Sequence, residues 1–533
     1  MTLQRKGLAA FLFSLLAGPA WAQTPLGPEF RVNDFITGDQ RYPGVAADAA
    51  GNFVVVWATD GQDGDGAGVF ARRYDANGAP RGGEFQVNTF ITGDQSFPEV
   101  AADPAGNFVV VWESNGQDGD SIGVFGRRYD AAGMPTTPEF PVNTHTPSIQ
   151  AEPKVAFDSA GGFVVVWESY YQDGDQSGIY AQRFDVAASP VGAEFQVNSY
   201  TPSYQLLPVV ATGPAGTFVV VWDSDGQEGL GNYGIYAQRF DAAGPVGTEF
   251  RVNTVTTGNQ FNPSVAADRQ GAFTVAWSGP DSSGQGIWGQ RYDPAGTPLA
   301  GEFPINTYVT LSQSSTVATV DANGNTMVAW SSNGQDASTF GVAGRSFDCD
   351  GQALGPDFLV NTYTAGSQNQ ASIASASGDF VVVWRSADQD GSGDGVYAQR
   401  FRGLPACGRF HAVTPCRLAD TRLPDGPSGG PPLAAGASRD FPVGGSCSIP
   451  ADARAVAVNV TTTAQTRAGN LRLYPAGEPV PLASAINFTA QHARANNAIV
   501  RLGANGQVGV RCDMPPGPGG TTHFILDVSG YFR

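Results

Sequence analysis

Apolar and polar positions along this chain fall into one unit that recurs seven times. Around Phe30 and Val32, apolar residues alternate with Glu29, Arg31 and Asn33, the two-residue period of a half-buried strand. A short apolar stretch follows at Val45-Ala46-Ala47, and Asp48-Ala49-Ala50-Gly51 reads as a turn. Phe53 to Trp57 is a continuous β-branched and aromatic run, as expected of a strand covered on both faces. Val69 to Tyr74 predicts a fourth strand, ended by Asp75-Ala76-Asn77-Gly78. Beyond the first 22 residues no stretch sustains helical spacing.

The unit is anchored by a tryptophan at positions 57, 112, 167, 222, 277, 330 and 384, at intervals of 53 to 55 residues. Four short strands repeated seven times, each set too small to bury its own apolar faces, predict an all-β fold: a seven-bladed β-propeller over residues 29–401. Sandwich domains would need close to about 100 residues per repeat. The last unit stops at Phe401 with no further E-F-x-V-N strand. The strand Glu29–Asn33 is therefore expected to complete the blade formed by residues 372–401 and close the ring, which removes exposed edges.

After Phe401 the pattern breaks, and residues 408–533 read as a small β-sandwich rich in Pro and Gly. Four of the five cysteines (Cys407, Cys416, Cys447, Cys512) fall in the last quarter of the chain, and four cysteines allow three pairings. This segment resembles a C-terminal appendage domain of secreted bacterial proteins. The residues that carry the likeness are Pro415-Cys416-Arg417-Leu418-Ala419-Asp420-Thr421-Arg422, Cys447-Ser448-Ile449-Pro450, Asn459-Val460-Thr461, Tyr474-Pro475, Asn487-Phe488 and Asp527 to Phe532. The resemblance implies a Cys416–Cys447 disulfide and no established activity. The repeats likewise resemble those of secreted bacterial propeller proteins, in architecture alone.

At the other end, Arg5 and Lys6, an apolar core from Leu8 to Leu16, and Ala20-Trp21-Ala22 make a signal peptide over residues 1–22. The apolar core is about half of the ~20 residues that span a bilayer, so no transmembrane segment is predicted. A secreted or periplasmic protein is expected. The formal charge of −19, with only Lys6 and Lys154 as lysines, argues against nucleic acid as a partner.

Two sets of residues are candidates for chemistry. The loops after the Trp strand carry alternating carboxylates: Asp63 and Asp65, Asp118 and Asp120, Asp173 and Asp175, and Asp388, Asp390 and Asp394. Oxygen ligands spaced this way can wrap a hard cation such as Ca²⁺, although Asp and Gly are also default turn residues. The second set recurs in all seven units. Asn33 and Gln40 with their equivalents are expected to satisfy loop backbone groups. Arg73 and its equivalents are expected to pair across a hairpin with the acid at the Glu84 position, and Arg400 with Glu29. A G-x-S-x-G match at Gly119–Gly123 lies in a hairpin loop instead of a strand–turn–helix.

From these features the expected function is a non-enzymatic binding scaffold that recognises polysaccharide or a surface protein. The alternatives are a secreted glycoside hydrolase or sialidase-like enzyme, and a structural surface component. Non-repeating carboxylates gathered in the central cavity would favour the hydrolase.

Overall fold

The structure is a computed structural model that describes residues 23–403, 410–451, 453–503 and 505–532. The predicted leader and Cys407 lie outside these residues. The chain separates into two compact units that divide between residues 405 and 406.

The first unit contains seven four-stranded antiparallel sheets and no α-helix among the described residues. In blade 1 the strands are Gln40–Ala47, Phe53–Asp60, Ala67–Tyr74 and Phe85–Gln86, from the axis outward. The second strand is buried along nearly its whole length, as its unbroken apolar run requires, and Val55, Val56 and Trp57 have no exposure. Each such strand lies between two neighbouring blades, and the seven tryptophans are among the most deeply buried side chains. Where the second and third strands meet, aromatic pairs stack, Phe53 on Tyr74 and Phe108 on Tyr129. Blades 3 and 4 have longer outer strands, Pro190–Gln196 and Gly244–Arg251.

Each innermost strand packs against that of the next blade, and Gln368–Ala376 of blade 7 packs against Gln40–Ala47 of blade 1, so the sheets form a closed ring. Blade 7 takes its outer strand from the other end of the chain. Phe30 pairs with Ala398 and Arg31 with Tyr397. The Val32 amide donates to the Val396 carbonyl at 2.8 Å, and the Val396 amide donates to Asn33 Oδ1 at 2.9 Å. Ring closure through Glu29–Asn33 is thus realised as the repeat count required.

The second unit has two sheets. One contains Phe410–Asp420, Thr521–Phe532, Ala455–Thr463 and Arg494–Arg501, with the short strand Leu433–Ala434 at its margin. The other contains Ser438–Pro442, Gln507–Asp513, Gly469–Pro475 and Ile486–Phe488. Val456, Val458 and Leu526 of the first share one core with Phe441, Leu471 and Val508 of the second, which makes this unit a sandwich. Cys416 and Cys447 form a disulfide. Cys512 is a buried thiol whose pKa burial pushes up to about 11. Asp420 of the motif is buried and hydrogen-bonded by the Arg422 guanidinium, which holds its carboxyl at about 2.

Candidate active site

The channel wall is built by a backbone device present in every blade. The innermost strand carries a β-bulge, seen as a register shift between Arg41 and Gly44 in blade 1 and at the equivalent place in the other six. One residue of each bulge has φ between +48° and +56°: Tyr42, Phe97, Glu152, Leu207, Asn262, Ser315 and Gln370. None is glycine, so each carries a conformational cost of roughly 1–3 kcal/mol. Bulges re-aim side chains next to functional sites. Here the repeating backbone carries seven different side chains at one ring position, and Glu152, Leu207, Asn262 and Ser315 among them line the channel. The sequence did carry a signal: proline follows the left-handed residue in five blades, at Pro43, Pro98, Pro153, Pro208 and Pro263, and proline inside a strand marks a bulge or edge.

Two residues beyond the left-handed position, the chain again departs from its repeat. That site is Gly44, Glu99, Lys154, Val209, Ser264, Val317 and Ser372 in successive blades. Glu99, Glu152 and Lys154 line a cavity of about 300 Å³ along the axis. Lys154 Nζ is 2.7 Å from Glu99 Oε2. Burial works against the Lys154 ammonium, but Glu99, Glu152 and Glu113 outweigh it and raise its pKa above the usual lysine value. Burial likewise lifts the Glu152 carboxyl above the ordinary range; Lys154 opposes that shift and Glu99 adds to it.

Behind this wall sit three further acids, each directly after the tryptophan of its blade: Glu113, Glu168 and Asp223, where the other blades have Ala, Ser or Arg. Each accepts a hydrogen bond from the left-handed residue of the next blade. The Glu152 amide donates to Glu113 at 2.7 Å, the Leu207 amide to Glu168 at 2.6 Å, and the Asn262 amide to Asp223 at 3.2 Å. Burial pushes Glu113 up to about 7 and Glu168 up to about 8, and raises Asp223 well above its usual value. Blades 2 to 4 therefore hold a set of carboxyls that runs from one paired with lysine at the cavity to three behind it whose pKa values burial raises.

The Asp loops lie at the same mouth of the ring, engaged with backbone. Asp63 accepts from the Asp65 amide, Asp118 from Asp120 and Asp173 from Asp175. Asp65, Asp120 and Asp175 reach across to the Gly93, Ser148 and Ser203 amides at the entry to the next blade. In blade 7, Asp390 accepts from the Ser392 amide, the Asp388 amide donates to the Gly393 carbonyl, and Asp394 is ion-paired with Arg385 at 2.6 Å and Arg41 at 3.5 Å. Among the described residues no three His, Cys, Asp or Glu side chains come together as a group that could hold a metal ion.

The sevenfold amides are buried and tie the entry loops. Asn33 donates to the Phe35 carbonyl and to Gln40 Oε1, and Gln40 donates to the Thr37 and Gly38 carbonyls. The expected cross-hairpin ion pair does not form. Phe85 pairs with Ala71, which leaves position 72 facing Glu84 and turns Arg73 to the opposite face. Arg73 donates instead to the Ala131 carbonyl of the next blade, and Arg400 to the Ala76 and Asn77 carbonyls. Glu84 accepts from the Asp34 and Phe35 amides and from Gln62, and Glu29 accepts from the Thr362 amide and Gln389.

No protein-family model matches the sequence, and no curated protein matches it. Among solved structures the chain is similar to the α-L-arabinofuranosidase arb93a from Fusarium graminearum, with 10% identity and a TM-score of 0.40, covering 70% of this chain and 98% of that one. It is also similar to the α-L-arabinanase of Penicillium chrysogenum (12% identity, TM-score 0.39, 70% and 97% covered). A third is the NanB sialidase of Streptococcus pneumoniae (11% identity, TM-score 0.39, 71% and 70% covered). At these scores the likeness carries no residue correspondence. These three similar structures are of glycan-active enzymes, which runs against the expectation of a non-enzymatic scaffold, and the channel of this chain holds carboxylates that do not repeat from blade to blade.

Proposed function

We propose that this chain is an exported glycoside hydrolase that works at the mouth of its central channel. The observation that carries this reading is the meeting of Glu99, Lys154 and Glu152 at one cavity, at ring positions where other blades have Gly, Ser, Val, Leu, Asn, Gln or aromatic residues. Glycosidic cleavage needs one protonated and one ionised carboxyl flanking the scissile bond. Glu152, raised by burial, is suited to donate its proton to the leaving oxygen as the C–O bond breaks. Glu99, ion-paired with Lys154, supplies the carboxylate that faces the developing oxocarbenium ion. Lys154 positions Glu99. Water then attacks the anomeric carbon and gives up its proton to the Glu152 carboxylate, which restores the acid. A sialidase-like mechanism finds less support, because Arg73, Arg183, Arg239, Arg291 and Arg400 are spent on turn carbonyls of adjacent blades. Export rests on the leader motif and agrees with a disulfide in the second unit.

The test is release of reducing ends from a polysaccharide panel by residues 23–533. Glu152→Gln and Glu99→Gln are each expected to lower kcat by about 10²-fold or more while the fold is kept. A panel left uncleaved, or variants as active as the parent, would overturn the assignment.

A further inference from the structure

The two aromatic members of the left-handed ring precede Glu152 in ring order, outside the lining of the 300 Å³ cavity, and do not contribute to the core. Tyr42 and Phe97 stack on one another with centroids 4.0 Å apart and an interplanar angle of 27°. Both are half-buried, and neither belongs to any of the clusters of buried apolar residues that hold the blades together. A bulky residue at positive φ is a conformational outlier. Here two adjacent blades accept that cost to hold rings that the packing does not use. Phe97 is two residues from Glu99, and Tyr42, Phe97 and Glu152 occupy consecutive ring positions.

Charge narrows what such a shelf can hold. Among the described residues lining the cavity, Lys154 is the one cation, and it is already paired with Glu99. Arg41 and Arg385, on the blade 1 and blade 7 side, are paired with Asp39, Asp60 and Asp394. A polyanionic chain would meet carboxylates without an uncommitted counter-cation. An uncharged sugar ring presents an apolar C–H face that suits the negative face of an aromatic ring.

We propose that the Tyr42–Phe97 pair is a stacking platform that selects a neutral polysaccharide, seating one sugar residue next to Glu152 and Glu99; this rests on the hydrolase reading for the identity of the site. The platform is a specificity determinant and takes no part in bond breaking.

The experiment is isothermal titration of neutral tetrasaccharides (cello-, xylo-, arabino- and manno-) and of tetragalacturonate into residues 23–533 carrying Glu152→Gln. At least one neutral probe is expected to bind about tenfold or more tightly than tetragalacturonate. Phe97→Leu, which keeps the volume and removes the π face, is expected to weaken that binding about tenfold, and Phe97→Tyr to restore it. Equal or tighter binding of tetragalacturonate, unaltered affinity in Phe97→Leu, or no binding of any probe would overturn the proposal. Neutral binding that depends on Phe97 without turnover by the parent would sustain the platform and sink the hydrolase. Turnover with indifference to Phe97 would do the reverse.

Discussion

Glu113 occupies a position where Ala58 stands in blade 1 and Ser278 in blade 5, and that exchange places a carboxyl where the fold offers it one backbone amide and little water. Its folded-state pKa of about 7 lies above the ordinary value of 4.5, so the folded protein binds the proton more tightly than the unfolded chain. Stability from this group is fully present below pH 4.5 and is lost as pH rises through 7. Glu113→Gln keeps an oxygen to accept the Glu152 amide but never ionises. The variant should match the parent in thermal melts at pH 4.5 and exceed it at pH 8.5 by about 1–3 kcal/mol. Residues of this kind were the hardest to read from the sequence. Gln40 and Asn33 were legible because seven copies at one place point to one structural task, and the structure gives them that task. Glu99, Glu152 and Lys154 each occur once, and in a repeat a single departure looks like drift until the ring brings the departures together. The Arg73–Glu84 pairing failed for a simpler reason, a register shifted by one residue that reverses which face a side chain occupies.

At the scale of the element, the second strand of each blade was the most legible, since an unbroken apolar run of five residues has no exposed face to offer. The bulge in the first strand was written as a recurring proline but went unread, because a short apolar stretch such as Val45-Ala46-Ala47 does not show where its register slips. The closing strand is the shortest of elements, Phe30–Arg31, and still carries a disproportionate load. Val32 beside it has no exposure, Glu29 accepts from the Thr362 amide, and Asn33 accepts from the Val396 amide in the third strand of blade 7. Burial of a valine is worth about 1.5–3 kcal/mol, so Val32→Ala should lower stability by about 1–3 kcal/mol. Deletion of residues 23–33 should cost more, because it also bares the Asp394–Phe401 edge. An unchanged melting temperature in the deletion variant would contradict the assignment of the clasp.

At the scale of the whole molecule, the two units are held by different means. The ring gains from contact between equivalent neighbours, whereas residues 410–532 form a small sandwich with a 22-residue buried core and one disulfide. The cross-link spans 31 residues, for which the chain-entropy account gives about 4 kcal/mol. Cys416→Ala with Cys447→Ala should therefore open this unit to limited proteolysis at temperatures where the parent resists, while cleavage sites within 23–403 stay protected.

The pairing of Phe30 with Ala398 also sets an order in time. The strand Phe30–Arg31, the first of the ring to leave the ribosome, has no partner until the last blade has been made, hundreds of residues later. Blades 1 to 6 can assemble one upon the next as they emerge, each on the wall left by its predecessor. Throughout that interval the growing ring is an open arc with two sticky rims. Chain length between the partners adds only slowly to the entropy of bringing them together. The hazard is therefore exposure, because two half-made rings can trade clasps as readily as one can fasten its own. A protein built this way is best completed one molecule at a time.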